Sequence, residues 1–588
     1  MSRRPEIGND PACRASKRKR ATVGRERRAV ERENGSRDWR MMPVALASWT
    51  AMLIERRTFE ALDGMDRRID ASACAPMLIL AVLTVMACSV LPNAVARRRI
   101  RCGPAVAAAM LCAATAGLCS DIVGAGDSVT ETMREGGGHV SMVLRTVSPT
   151  TRSPMRGSDC QTDANVQWLE VHQIRSPSSA SVRIFADDDH CRWNRDAVYR
   201  VEGTLSKPKY GTADAWLTIG NSPRDGMTMI RKAGIIPSMT QTMQREFLAV
   251  TRGLSDQGKV LVPGLTMGVL GQEAYLNDAY PIEIADDIDT NYAETLEDDF
   301  KAAGIMHLMA VSGGHFVLIA AAVMRAASFA LLPRWAKASG VIGAYGMLTI
   351  LMFPADSVLR AFVMGLFPVA AMLFGRRSQA MSALNWTVIL LLMFDPSLAV
   401  SFGFALSCAS VYGIVLLVDP MSRALLRYMP KPLAYGVAMT LAAQCFTLPI
   451  QVLMSPSIPI WSVPANCFAA PVVAVSTIAG LASLTVSWAL PTVGFALAWL
   501  ASLGTWLLER CATLFGGDHA LAWPEGVPGM ILVCAAETVL ALTFWGIPRL
   551  LRVVATASGR MAPGEYRPGP AERVTCWWRQ TCKMLFPR

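Results

Sequence analysis

The sequence predicts a polytopic α-helical membrane protein of about 11–12 membrane segments with one inserted, extracytoplasmic, small β-barrel of OB-like type. Three observations carry this. First, 52% of the 588 residues are hydrophobic and the mean hydropathy is +0.32. The apolar residues collect in runs of about 18–25, the length that crosses roughly 30 Å of hydrocarbon. Second, Lys and Arg fall in alternate loops between those runs, as cytoplasmic loops do. Third, one polar island, residues 135–225, breaks the apolar series with short alternating segments.

The ends come first. The net charge of +11 is concentrated there. Residues 1–40 are polar, rich in basic groups (KRKR at 17–20, Arg25, Arg27, Arg28) and poor in aromatics, which predicts a disordered cytoplasmic tail. Residues 548–588 form a second basic tail, with Arg552, Arg560, Arg567, Arg573, Arg579 and Lys583. Positive-inside topology explains both tails; nucleic-acid binding is the alternative. The first apolar run starts at Met41 with no small-residue cleavage pattern after it, so no secretory signal is expected.

Residues 41–120 hold the N-terminal membrane segments. The run 41–54 is marginal for spanning, and clearer spans follow at 75–96 and 103–120, separated by ARRRIR. In the island, HVSMVLRTV, WLEVHQI, SVRIFAD, AVYRVEGTL and AWLTIG alternate or run apolar, with turn formers between them. Five short strands of this kind suggest an OB-like barrel, with a sandwich fragment as the alternative. Residues 240–303 read as a connector with an amphipathic helix around TMQREFLAVTRGL, then LVPGLTMG, then an acidic stretch (Asp286, Asp287, Asp289, Glu297, Asp298, Asp299). That stretch lacks the Gly turn of a calcium loop and reads as a solvated helix face.

Nine spans follow within 304–547, at 304–332, 338–354, 357–375, 380–394, 397–418, 433–454, 462–489, 493–514 and 528–547. Ser401, Gly403, Ala405, Ser407 and Ser410 are small residues at the spacing of a tight bundle. Arg334 and Lys337, Arg376 and Arg377, then Arg423, Arg427 and Lys431 mark alternate loops, while PAD, DPS, SPSIP and GGDHALAWPEG carry no Lys or Arg. The basic loops are therefore expected inside and the barrel outside. An inside N-terminus then requires 41–54 to enter the membrane, which gives the count of twelve. An outside barrel makes a disulfide between Cys160 and Cys191 plausible. Most of the fifteen cysteines lie in apolar runs, and no CxxC pair suggests a metal site.

The most informative stretch is GIMHLMAVSGGHFVL at 304–318, which places His307, Ser312, Gly313, Gly314 and His315 in a run apolar enough for the bilayer. Polar groups at that depth mark functional sites by default. With LVPGLTMG (261–268), VLRAFVMG (358–365), LFGRRSQAMSALNW (373–386), DPSLAVSFGFALSCAS (395–410), AAQCFTLPIQ (442–451) and VPANCFAAP (463–471), the ordered set resembles the ComEC family of competence DNA-uptake channels over about 135–490. The family pattern is closer to AVSGLH, so Gly314 and Phe316 depart from it. Many members also carry a C-terminal metallo-β-lactamase-like domain. Its HxHxDH cluster is not formed by the six histidines here (His139, His172, His190, His307, His315, His519), so that nuclease is expected on another polypeptide or absent.

The resemblance implies a channel that translocates single-stranded DNA inward during natural transformation. A strand carries about one charge per nucleotide, so the bundle needs a polar lining. The lining candidates are His307, Ser312, Gly313, His315, Arg360, Ser401, Gln444 and Asn466. Arg360 suits phosphate, or a structural pair with Asp356; Gln444 and Asn466 suit either the lining or interhelical bonds. Pro449, Pro464 and Pro471 suggest broken helices whose N-termini favour anions. In the island, Arg183, Arg192, Trp193, Lys207, Lys209 and Tyr210 are the DNA-binding candidates, while Tyr199 and Trp216 are expected in the core. No GxxxxGK[ST] motif supplies a motor. The expected partners are a DNA receptor of helix-hairpin-helix type, a cytoplasmic ATP-driven helicase or single-strand-binding protein, membrane lipid and a further copy of the chain. No cofactor, metal or catalytic residue is expected. A transporter of another polymer or solute is the alternative function. A serine hydrolase using Ser312 and His315 is a third, since residues three apart share a helix face.

Overall fold

The computed structural model describes residues 39–63, 103–153, 157–171, 174–187, 190–209, 211, 213–220, 226–274, 288–517 and 520–543. The expected span at 75–96, the C-terminal tail, nearly all of the N-terminal tail and Tyr210 lie outside them.

Among the described residues two helices precede the island, α1 (Met42–Asp63) and α2 (Gly103–Ala125). They pack side by side, with Gly117 of α2 against Met52 and Glu55 of α1. Val44, Ala45, Ala51 and Met52 are buried among Leu384, Val388, Phe404 and Cys408 of the later helices, and Trp49 Nε1 donates to the Ala399 carbonyl at 2.9 Å. The marginal run at 41–54 is thus part of the bundle. Glu55, Arg56 and Arg57 keep α1 out of the set of helices apolar enough to span alone.

A short helix α3 (Ser128–Arg134) leads into strands β1 (Gly138–Thr146), β2 (Thr151–Arg152), β3 (Cys160–Val171), β4 (Ile174–Pro177), β5 (Ser181–Ala186), β6 (Val198–Ser206), β7 (Ala215–Ile219) and β8 (Gly226–Arg231). Five of them close into a ring in the order β1–β3–β5–β7–β6–β1, parallel only at β5–β7. That circuit is a Greek-key barrel of OB type. Burial alternates along β1 and β6, so Val140, Met142, Leu144, Tyr199, Val201 and Leu205 fill the interior. A disulfide joins Cys160 to Cys191, with Cα atoms 5.9 Å apart. Asp127 caps α3 by accepting from Val129 N at 3.0 Å, and its carboxylate also accepts from Ser178 Oγ and Ser179 N. The chain therefore enters the barrel through a fixed corner.

Among the described residues three helices follow: α4 (Ile235–Thr251), α5 (Asp256–Met267) and α6 (Thr290–Ala302). The amphipathic helix is α4, buried through Met243, Gln244, Phe247 and Leu248. The connector reading fails for α5. Its Leu261–Met267 segment is buried throughout, packed against the later helices, with Gly258 at Ser502 and Thr266 at Gly480. Among the described acidic residues, Asp289 caps α6, while Glu297 and Asp298 pair with Lys301.

Nine helices then match the nine predicted spans among the described residues: α7 (Gly313–Phe329), α8 (Arg334–Leu351), α9 (Asp356–Leu373), α10 (Ala380–Phe394), α11 (Phe402–Leu425), α12 (Lys431–Met454), α13 (Ser462–Val486), α14 (Pro491–Phe515) and α15 (Gly526–Ala541). Five of these and α2 are long and apolar enough to cross a membrane, and α7, α10 and α15 are shorter apolar helices. The expected breaks at Pro449 and Pro471 do not occur, because α12 and α13 run on through them. Residues 447–457 and 522–543 belong to a second compact unit, in which Trp523 N donates to Pro456 O and its indole to Gly529 O.

Candidate functional site

The N-termini of three helices meet inside the first unit. Ser312 is the N-cap of α7, its hydroxyl accepting from Gly314 N at 3.3 Å. Ser357, in the first turn of α9, donates its hydroxyl to the Val311 carbonyl at 2.9 Å. Ser401, the N-cap of α11, bonds the Asp356 carboxylate and accepts from Phe404 N at 3.2 Å. Each N-terminus carries roughly half a positive charge from its unpaired N–H groups.

Arg360 extends into this junction from the second turn of α9 and is 3% exposed. Its Nε donates to Ser407 Oγ of α11 at 2.7 Å, and one Nη contacts Met364 Sδ at 3.5 Å. The other Nη lies against Gly313, 3.4 Å from where a Cβ would stand. The expected alternative pair with Asp356 is not formed, since Asp356 is held by Ser401. Among the described residues no carboxylate pairs with Arg360. A buried guanidinium aimed at a helix N-terminus leaves positive charge uncompensated, which costs several kcal/mol.

His315 is buried, and both ring nitrogens are engaged. Nδ1 accepts from Ser312 N at 3.3 Å, which completes a capping box, so Nε2 donates to the Leu265 carbonyl at 3.0 Å. Ser312 Oγ takes no part in either bond. The Ser312–His315 hydrolase dyad is therefore not assembled, and His315 braces α7 against α5.

The other end of the motif meets α13. Gly304 has φ +69°, and a Cβ there would come within 2.7 Å of Ser462 Cβ and 2.8 Å of Pro459. Only glycine fits both the backbone and the space. Asn466 donates to the Gly304 and Ser462 carbonyls at 3.4 and 2.8 Å, and Ser462 donates to Gln444 at 2.9 Å. Asn466 and Gln444 are half-buried, and His307 is exposed. The eight lining candidates thus form two clusters, one at each end of 304–314.

The barrel candidates do not assemble. Arg183 forks onto Asp163 at 2.7 and 3.3 Å. Trp193, expected on the surface, is 3% exposed and packs edge-on against Tyr199 at 4.9 Å. It sits beside the disulfide, where the polar run CRWNRD turns the ring inward. Tyr199 and Trp216 are in the core, as expected. Arg192, Lys207 and Lys209 are exposed, but β6 separates Arg192 from the two lysines by roughly 26 Å. Arg195 ties the barrel to the bundle, donating to Val147 O and to Ile350 O of α8 at 3.0 and 3.2 Å. Burial pushes its guanidinium below the ordinary value, with Asp196 opposing. Sequence reasoning missed Ser407 and Ser357 as polar partners, reading the small residues around Ser407 only as packing. It also missed α5 as a wall of the site.

Fold and site define a multi-pass helical membrane protein with an OB-type barrel and a cationic junction inside its bundle. Residues 289–549, a little under half of the chain, match the family model described as Competence, competence protein, so this stretch is similar to the competence family. An uncharacterized protein of Aquifex aeolicus (strain VF5) is 29% identical over 172 residues, covering 28% of this chain and 40% of that protein. The chain therefore spans well under half the length of that relative. No solved structure matches the chain.

Proposed function

We propose that this protein is a membrane channel that passes single-stranded DNA into the cell, with the barrel outside and the basic loops inside. The observation that carries the reading is Arg360: a buried cation with no carboxylate partner among the described residues, set among three helix N-termini. Together these supply roughly +2.5 charges against the one of Asp356. A phosphate passing the junction offsets the desolvation cost of the guanidinium, whereas a neutral solute does not. The connections before α7, α9, α11 and α13 carry no cluster of Lys or Arg, which puts the junction on the outer side. His307, Gln444 and Asn466 continue the polar lining.

Inward movement of each negative charge against 100 mV costs about 2.3 kcal/mol. A cytoplasmic ATP-driven helicase or single-strand-binding protein supplies the pull in this reading, and a receptor of helix-hairpin-helix type delivers the strand from outside. Deleting the gene should abolish transformation by added DNA while leaving DNA bound at the cell surface. Uptake of labelled single strands by proteoliposomes containing a trapped single-strand-binding protein tests the channel directly. Reporter fusions that place residues 138–219 in the cytosol would refute the orientation.

A further inference from the structure

Between the barrel and α4 lies a cleft of about 320 Å³, within the size range of small-ligand sites. Its lining combines the polar and cationic Thr150, Lys232, Gln241 and Arg245 with the apolar Met229 and Phe353. Lys232 is exposed and pairs with no carboxylate among the described residues. Arg245 makes a loose ion pair with its neighbour Glu246 at 3.7 Å, longer than a hydrogen bond. Thr150 is 4% exposed, and its hydroxyl has no hydrogen-bond partner. A buried hydroxyl left so carries its full desolvation penalty, and such groups mark places where a ligand completes the set.

We propose that this cleft seats one nucleotide unit of a single strand, with phosphate between Lys232 and Arg245, Thr150 donating to a phosphate or sugar oxygen, and the base against Met229 and Phe353. The proposal rests on the channel reading and adds the place where the strand passes from barrel to bundle. Geometry supports the hand-over. Phe353 lies in the connection between α8 and α9, shortly before Asp356, so part of the cleft lining belongs to the backbone that carries Arg360. The same end of α8 is gripped by Arg195 from the barrel and by Gln244 from α4, which donates to Leu351 O at 2.7 Å. The two cations are also open to a ligand in a way that Arg183, forked onto Asp163, is not, and Trp193, although 3% exposed, adds an edge to the cleft lining. An anionic lipid headgroup offers the same phosphate, but an acyl chain needs a longer apolar trough than Met229 and Phe353 provide.

The test uses the full-length chain in detergent and a fluorescent twelve-residue oligothymidylate, read by anisotropy across a salt series. Lys232→Gln with Arg245→Gln should weaken binding about 10- to 100-fold and flatten the slope of log K against log salt by about 0.7 for each phosphate no longer neutralised. Thr150→Val, which keeps the shape and removes an unpartnered hydroxyl, should weaken binding about 5-fold without lowering the melting temperature. Oligonucleotide carrying 5-iodouridine should cross-link at Met229 or Phe353. Unchanged affinity and slope in the double variant, or cross-links confined to other residues, overturn the cleft. If Arg360→Gln abolishes uptake while the cleft variants bind as the parent does, the cleft falls and the channel stands. Displacement by phosphatidic acid micelles that the double variant escapes, with oligonucleotide binding intact, assigns the cleft to lipid and also overturns the proposal.

Discussion

The barrel and the helical bundle handle cations in different ways. In the barrel several cations, at exposed or half-exposed positions, are neutralised locally: Arg183 by Asp163, Arg145 by Asp196, Arg175 by Glu170. Its Phe185, Trp193, Tyr199 and Trp216 rings are spent on its own core. In the bundle, where a charge is costlier, Arg360 has no carboxylate partner among the described residues and faces helix N-termini. A scaffold balances its charges; a passage for an anion keeps an imbalance that the cargo relieves. Under the proposed channel reading, the barrel positions the strand and the bundle recognises it.

Arg360→Gln tests the contrast most strongly. Removing a charge-assisted hydrogen bond of about 3 kcal/mol predicts roughly a hundredfold fall in DNA uptake. The same change removes an uncompensated buried cation, so thermal stability in detergent should hold or rise. Arg360→Lys should keep part of the uptake, because the charge remains while the fork is gone. Parallel loss of stability and uptake would make Arg360 a packing residue and end the contrast.

The next effect belongs to the barrel. Cys160 and Cys191 are 31 residues apart, a loop whose closure is worth about 3–4 kcal/mol. Cys160→Ser with Cys191→Ser should therefore speed amide exchange across β1–β7 by about two orders of magnitude, while exchange in α9 and α11 stays unchanged. Equal acceleration in both regions would show that barrel and bundle open as one unit.

What could be read in the sequence follows from which physics is local. The nine later helices were legible because each apolar run must be continuous to cross a bilayer. The strand at 160–167 was not, because its inward positions are Cys160, Thr162 and Ala164, small or polar groups with no hydrophobic alternation. The segment at 261–268 was read as part of a connector, yet it is a helix buried throughout, with Gly264 in contact distance of Leu270 and Met309. Ser312, Asp356 and Ser401 were each visible as polar residues at the start of an apolar run. Their meeting was not, since nothing local encodes a contact between residues about 45 apart. Trp193 misled for the converse reason: its polar neighbours describe the loop, and the ring follows the disulfide into the core.

His315 gives a smaller effect that separates bracing from lining. Its Nδ1 and Nε2 bonds hold the start of α7 to Leu265. His315→Ala should cost about 2 kcal/mol of stability by stranding a buried N–H and a carbonyl. Uptake per folded molecule should be near that of the parent, read by normalising transport to the monodisperse fraction. A large transport loss in a fully folded variant would return His315 to the lining.

Asp214 offers the smallest effect, and its sign is informative. The carboxylate accepts from Ser181 N at 2.8 Å at the start of β5. Burial nonetheless raises its pKa above the ordinary 3.8, with the Ser181 bond opposing and Asp127 adding to the rise. A raised carboxyl pKa means the folded barrel binds the proton more tightly than the unfolded chain does. Stability from this group is therefore present in acid and lost as pH rises through the folded value. Asp214→Asn keeps an acceptor for Ser181 and removes the charge, so at pH 7 amide exchange in β5 and β7 should slow by a few-fold. The difference from the parent should disappear as pH falls towards 4. Faster exchange in the variant at pH 7 would mean that the ionised carboxylate stabilises the barrel through a cation, and that local neutralisation there is more complete than burial alone implies.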